Sequence, residues 1–220
     1  MILVRPSHEI IAVTPEAELV VEIAGRTCYK SEGKGNPEGF VRRIVASGHE
    51  SVLEHMVVTV RLVTDRGISH QIVRHRLASY SQESTRYCNY KSPRFCNYGK
   101  GKFGPHVSFV VPTWYPEIPT GEFSTAQFVS GNFSDSERRW LGAMKEAEKA
   151  YFALLEHESP EQARSVLPNS TKTEIVMTAN AREWRHIFKV RCAPDAHIQF
   201  RELICPVRDE FADRWPSVFG

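Results

Sequence analysis

No stretch of this 220-residue chain approaches the roughly 20 apolar residues that a membrane-crossing helix needs, and no membrane association is expected. The opening MILVRPSHEIIAV lacks the basic start, long apolar run and small-residue cleavage site of a secretory leader. The five cysteines, Cys28, Cys88, Cys96, Cys192 and Cys205, form no close CxxC pair, and an odd number cannot complete a disulfide framework. A soluble, cytoplasmic protein is therefore expected. A large charge of one sign is missing too. Lys and Arg number 28 against 26 Asp and Glu, so any positive site must be local and strong non-specific nucleic-acid binding is not expected. Long repeats and low-complexity tracts are absent. No GxGxxG dinucleotide-binding fingerprint appears. His186 and His197 with Cys192 and Cys205 match no usual short zinc-ligand spacing, so no metal is expected.

Hydrophobic residues make up 41% of the chain, enough for a substantial core, and the length suits one large domain or two small ones. Ile2 to Val13 reads as one or two short strands around Pro6. Thr14-Pro15 reads as a helix start, a hydroxyl cap before proline, with Leu19, Val20 and Ile23 as its apolar side. Ser31–Pro37 reads as a loop, and Asn36-Pro37 starts a second helix ending near Gly48. From Glu54 to Thr64, Met56, Val58, Val60 and Leu62 alternate with more polar positions, as a half-buried strand requires. Asp65 is placed to cap a helix over Gly67–Leu77, and 80–87 reads as extended chain. A loop over Cys88–His106 precedes a strand over Val107–Val111. Ser134 with Glu137 forms a capping box, opening a helix on which Trp140, Met144, Ala147, Tyr151 and Leu154 recur at helical spacing. A short helix starts at Ser159-Pro160 and a strand covers Lys172–Ala179. Helices follow over Ala181–Val190 and Asp195–Val218, with Pro206 a kink or break in the last. Helices and strands mix without a regular βαβ rhythm, which points to an α+β fold.

The densest polarity lies in RHRLASYSQESTRY, Arg74 to Tyr87, which holds Arg74, Arg76 and Arg86 with a histidine, a glutamine, a glutamate and several hydroxyls. Guanidinium groups match phosphate or carboxylate acceptors in pairs, and such a cluster is costly to bury without an anion. On a helix, Gln71, Arg74 and His75 would be neighbours and Arg76 would fall near Ile68 and Ile72. Backbone amides and hydroxyls around Ser84 and Thr85, with Arg86 beside them, suit a phosphate monoester. The plainer reading is a surface helix whose arginines pair with Glu83.

This window resembles the signature of the flavin-dependent thymidylate synthases, RHRxxSxNExSxRY. Arg74, His75, Arg76, Ser79, Ser84, Arg86 and Tyr87 stand in place; Ser81-Gln82 replaces the usual Asn-Glu. GHESVLEH (48–55), ARSVLP (163–168) and NAREWRHIFKVR (180–191) resemble further blocks of that family, in the same order. The resemblance implies a single domain over 1–220, a mixed or antiparallel sheet flanked by helices, and reductive methylation of dUMP to dTMP. The one-carbon donor would be 5,10-methylenetetrahydrofolate and the reductant NADPH, relayed through FAD without a cysteine nucleophile. By resemblance, Gln71, Arg74, Gln82, Glu83, Ser84, Thr85, Arg86, Arg164 and Arg191 would hold dUMP. Ser51, Arg74, His75, Arg76, Gln82, Asn180, Arg182 and His186 would contact FAD. The family also implies a homotetramer with shared active sites.

Arg191 has a physical case of its own. A fixed cation beside the uracil oxygens or N3 stabilises negative charge that develops as the ring carbon becomes nucleophilic. Arginine stays protonated, so it acts electrostatically and not as a base. The alternative is a salt bridge to Asp195 at a helix end. Cys192 beside it reads as an incidental thiol, and Ser84 as a phosphate ligand and not a nucleophile. His49 and His55 flank the strand start and serve as caps or flavin contacts. Trp184 and Phe188 read as core or subunit interface. The basic and aromatic loop Lys91–Phe103 reads first as a solvated loop, then as a lid over substrate, and last as a nucleic-acid contact.

Overall fold

The computed structural model describes residues 1–32, 35–92, 94–95 and 105–220. In chain order, β1 (Ile2–Val4) and β2 (Ser7–Val13) precede α1 (Ala17–Tyr29) and α2 (Pro37–Ala46). A 3-10 helix, Glu50–His55, leads into β3 (Val57–Asp65), α3 (Arg66–Ile72) and β4 (Ala78–Gln82). Next come β5 (Ser108–Val110), β6 (Gly121–Glu122), α4 (Thr125–Ser130), α5 (Asp135–Leu154), α6 (Pro160–Ala163) and β7 (Lys172–Asn180). The helices α7 (Ala181–Arg191), α8 (Ile198–Arg214) and α9 (Pro216–Phe219) follow. The strands form two sheets, ordered β5-β1-β6 and β2-β3-β7-β4, so the fold is α+β with sheets flanked by helices. The chain divides into two compact units. The first takes Met1–Pro6, Val63–Gln71 and Gln82–Glu174; the second takes Ser7–Leu62, Ile72–Ser81 and Ile175–Gly220.

In the first unit, β1 pairs in parallel with β5, Leu3 opposite Phe109, and antiparallel with β6, Leu3 opposite Gly121. This mixed sheet buries Leu3, Val107 and Phe109 against Leu141, Met144 and Tyr151 of α5. The Ser134 capping box is present: Glu137 accepts from the Ser134 amide at 2.8 Å and the Ser134 hydroxyl accepts from the Glu137 amide at 3.3 Å. Periodicity found Met144 and Tyr151 but passed over Leu141, which is fully buried. The Arg5 guanidinium donates to the carbonyls of Pro112, Tyr115, Pro116 and Ile118, holding that loop shut.

In the second unit, Met56, Val58, Val60 and Leu62 are all fully buried, the alternation expected of a half-buried strand. The Ala181 amide donates to Met56 O at 2.8 Å and Trp184 Nε1 to Val58 O at 3.1 Å, tying α7 to the start of β3. Rings of Trp184, Phe188, Trp215 and Phe219 surround Phe211 with centroids 5.1–5.3 Å from it. Trp184 is thus core.

Several expected boundaries move for physical reasons. Pro6 parts the first strand region into β1 and β2, which join different units. The Thr14 hydroxyl accepts from the Val57 amide at 2.9 Å, so it pins β3 and caps no helix; α1 starts at Ala17 behind Glu16 in a left-handed turn. Asn36 caps α2 as expected, accepting from the Gly39 amide. The strand expected from Glu54 begins at Val57; before it Glu50–His55 form a 3-10 helix, with His49 at its N-terminal cap position and His55 as its last residue. Asp65 caps α3, accepting from the Ile68 amide at 2.6 Å, yet α3 ends at Ile72 and not Leu77. The Tyr80 hydroxyl donates between the carbonyls of Ile72 at 2.9 Å and His75 at 2.6 Å, satisfying from β4 the groups another helical turn would have used. Arg74, His75 and Arg76 therefore stand in a turn, with Arg74 and Arg76 exposed and His75 buried. Extended chain stops at Gln82, and 85–87 form a turn. The last long helix starts at Ile198, continues through Pro206 and ends at Arg214, where Trp215 (φ −134°, ψ 67°) leaves the helical region that a following proline disfavours. Part of the Ser31–Pro37 loop and of the Lys91–Phe103 loop, including Cys96, lies outside the described residues.

Candidate functional site

The candidate residues fall into two sets, one in each unit. In the first unit, β4 delivers Gln82, and the turn behind it carries Glu83, Ser84, Thr85 and Arg86. The Glu83 amide donates to Glu174 O at 2.9 Å, and its carboxylate accepts from the Tyr90 hydroxyl at 2.8 Å. Lys172 lies 3.4 Å from the same carboxylate and 2.5 Å from that of Glu174. Glu83 thus anchors the base of the turn and is not the partner of its arginines. Burial and the Glu83 charge push the Tyr90 hydroxyl well above its ordinary range, so it stays a donor.

Thr85 is buried and accepts from Arg164 Nη1 at 3.3 Å; Arg86 Nε pairs with Glu161 at 2.7 Å in solvent. Thr85, Glu161 and Arg164 line a cavity of about 410 Å³ together with Arg66, His70 and Thr171. The structure therefore brings Thr85 and Arg164 together, two segments 79 residues apart, at a site with cations and hydroxyls. Gln71 lies at the end of α3 and does not line this cavity. Arg66 and His70 are additions to the expected set, four residues apart on α3, where one face carries both. That spacing was visible in the sequence; its orientation was not.

In the second unit, the Asn180 side chain accepts from the Glu183 amide at 2.9 Å and caps α7. That helix carries Arg182, Glu183, His186 and Arg191. His75, 8% exposed, sits at its inner side. Arg191 Nε donates to His75 Nε2 at 2.9 Å, so the imidazole must carry its proton on Nδ1, which faces Glu183 Oε1 at 3.6 Å. Burial, and then the charges of Arg191 and His186, hold the His75 pKa down at about 4, from 6.5. A neutral ring is what an arginine donor needs. The Arg191 guanidinium also lies over the Phe200 ring, 4.9 Å from its centroid. Among the described residues its two terminal nitrogens carry no hydrogen bond, and its partner is His75 and not Asp195.

A second cavity, of about 880 Å³, is lined by Asn180, Arg182, Arg185, His186 and Lys189 with Glu50 and Glu54. Arg182 pairs with Glu54 at 2.6 Å and Arg185 with Glu50 at 3.1 Å. Ser51 is exposed on the 3-10 helix, next to Glu50. Glu183 was missed in the sequence. It sits three residues after the helix-capping Asn180, and that position is the only signal that points to it. Burial, followed by the neighbouring Cys205, raises the pKa of Cys192 to about 12. It is a thiol with no nucleophilic character at neutral pH.

A family model described as thymidylate synthase complementing protein matches residues 9–217. A flavin-dependent thymidylate synthase of Geobacter sulfurreducens is 35% identical over 204 residues, spanning 86% of this chain and 75% of its own. That of Mycobacterium avium is 33% identical over 213 residues, spanning 91% and 78%. That of Mycobacteroides abscessus is 32% identical over 207 residues, with the same coverage.

Proposed function

This chain belongs to the thymidylate synthase complementing protein family, the flavin-dependent thymidylate synthases, and we propose from that premise that it converts dUMP to dTMP by reductive methylation. In this reading 5,10-methylenetetrahydrofolate gives the one-carbon unit, NADPH is the reductant and FAD is the resident cofactor. Residues 1–220 act as one such domain, in the cytoplasm, within a homotetramer whose active sites draw on more than one subunit. The exposed side chains of Leu77 and Tyr87, each 74% accessible beside the arginine turn, suit contact with another subunit.

The observation that carries the proposal is the fixed guanidinium of Arg191. One nitrogen is engaged by a neutral, buried histidine, the guanidinium lies over Phe200, and the terminal nitrogens carry no hydrogen bond among the described residues. A cation held in this way needs no reorganisation when charge appears on the uracil oxygens or N3, and it cannot neutralise itself by losing its proton. Thr85, Arg86 and Arg164, with Arg74, hold the 5′-phosphate and sugar of dUMP; Gln71, Gln82, Glu83 and Ser84 complete that set. Glu83 does so by holding the turn from beneath.

The lining of the second cavity fits FAD. Its volume lies in the range of cofactor sites; Lys189 offers a cation to a diphosphate, and Arg182 and Arg185 do so by exchanging Glu54 and Glu50 for it. Asn180, His186, Ser51, His75, Arg76 and Gln82 supply ring and ribose contacts in this assignment. Bound flavin supplies hydride transfer between the reductant and the one-carbon unit on its way to methyl. The chain's own residues bind, orient and polarise, and no thiolate is needed: burial pushes the Cys88 and Cys192 thiols up, away from ionisation.

The test is a visible spectrum of the purified protein, followed by anaerobic NADPH with and without dUMP and then a dTMP assay with methylenetetrahydrofolate. A yellow protein that bleaches, responds to dUMP and makes dTMP is expected. Arg191→Ala is expected to keep its flavin and lose dTMP formation by about 100-fold or more. A colourless protein that takes up no added FAD sinks the proposal.

A further inference from the structure

Gln82 is tied down by a chain of hydrogen bonds whose direction can be worked out. The Ser69 hydroxyl donates to the carbonyl of Arg66 at 3.0 Å. A hydroxyl has one proton, so Ser69 Oγ can only accept from its other neighbour, Gln82, at 2.9 Å. That fixes the nitrogen of the Gln82 amide toward Ser69 and toward Thr173 Oγ1, 3.1 Å away on β7. Ser69 and Thr173 are both buried, at 0% and 1% exposure, so neither is free to rearrange into water. Both amide protons of Gln82 have partners. Its carbonyl oxygen has none among the described residues and is open to solvent.

We propose that Gln82 is a specificity-determining residue, locked by Ser69 and Thr173 so that it presents one uncharged acceptor to a neutral N–H donor of the ligand. This deepens the nucleotide reading above and rests on it. The uracil N3–H of dUMP and the N–H of an isoalloxazine ring share the required chemistry. A carboxylate at this position meets the Ser69 oxygen as acceptor against acceptor. It must either stay protonated or turn the Ser69 hydroxyl away from the Arg66 carbonyl. The charged groups on the elements flanking Gln82 are Arg66 and His70 of α3, Glu83 beside it, and Lys172 and Glu174 of β7. Lys172 is shared between the two carboxylates, and Arg66 Nη1 donates to the Glu83 carbonyl.

The test compares wild-type holoenzyme with Gln82→Glu between about pH 5 and pH 8, a span above the ordinary carboxylate pKa. Dissociation constants for dUMP, flavin content and melting temperatures are measured at each pH. Expressing every value relative to wild type cancels the titration of the dUMP phosphate. The relative dUMP dissociation constant, or the relative loss of flavin, is expected to rise about tenfold across that span as the introduced carboxyl ionises. The melting-temperature deficit should widen in parallel. An effect on dUMP with flavin content unchanged assigns the N–H to the pyrimidine; an effect on flavin retention assigns it to the isoalloxazine. A ratio and a melting temperature that both stay at the wild-type level across the range overturn the inference; a loss present at every pH reports the turned Ser69 hydroxyl and upholds the lock. Wild-type protein that takes no dUMP at any pH overturns the nucleotide reading instead, and the melting series still decides the amide lock.

Discussion

At the scale of single residues, the His75–Arg191 pair has a consequence for acid stability. His75 has a folded pKa of about 4 against an ordinary 6.5, so between these values the unfolded chain binds a proton that the folded chain refuses. Stability from this site is complete above about 6.5 and is lost as pH falls toward 4. Urea denaturation from pH 7 down to 4.5 should show a midpoint that declines with falling pH. His75→Gln, which offers an acceptor oxygen and does not titrate, should flatten that decline; an equally steep variant removes His75 as its cause. Little of this pairing was legible beforehand. Arg191 and His75 were both singled out, but they lie 116 residues apart, and periodicity carries no information about which distant side chain turns toward which. The lysine and tyrosine beneath Glu83 were unreadable for the same reason.

At the scale of elements, local chemistry was legible where it was local. The Ser134 and Asn36 caps, the Asp65 cap of α3 and the alternation along β3 all follow from residues within a few positions of one another. Boundaries set by a partner elsewhere were not. Thr14 has the chemistry of a cap but is taken by β3, and α3 stops where Tyr80 reaches back to it. Pro206 illustrates the limit of a single-residue rule, since packing of α8 in its aromatic surroundings carries the helix past it. The capping of α7 by Asn180 has functional weight, because that helix carries Arg182, His186 and Arg191. Asn180→Ala should cost about 1 kcal/mol of stability in chemical denaturation. Hydrogen exchange should quicken first at the Glu183 amide, which loses its partner; unchanged protection there would separate Asn180 from the cap.

At the scale of the whole molecule, the α+β class came from mixed element types and the core from their apolar faces, but the division into two units did not show in composition. The second unit's aromatic core is its strongest packing, with Phe211 fully buried at its centre. Phe211→Ala should destabilise by about 3–5 kcal/mol, read from the denaturation midpoint at unchanged slope. A loss below about 1 kcal/mol would mean that the rings repack around the gap. Each unit is assembled from three separate stretches, with β3 and β7 passing from one unit into the other along a single strand. The two are therefore interleaved along the sequence, and trimming the gene from either end cannot liberate one half intact. Any lineage that exchanges one half for another must splice at several points at once.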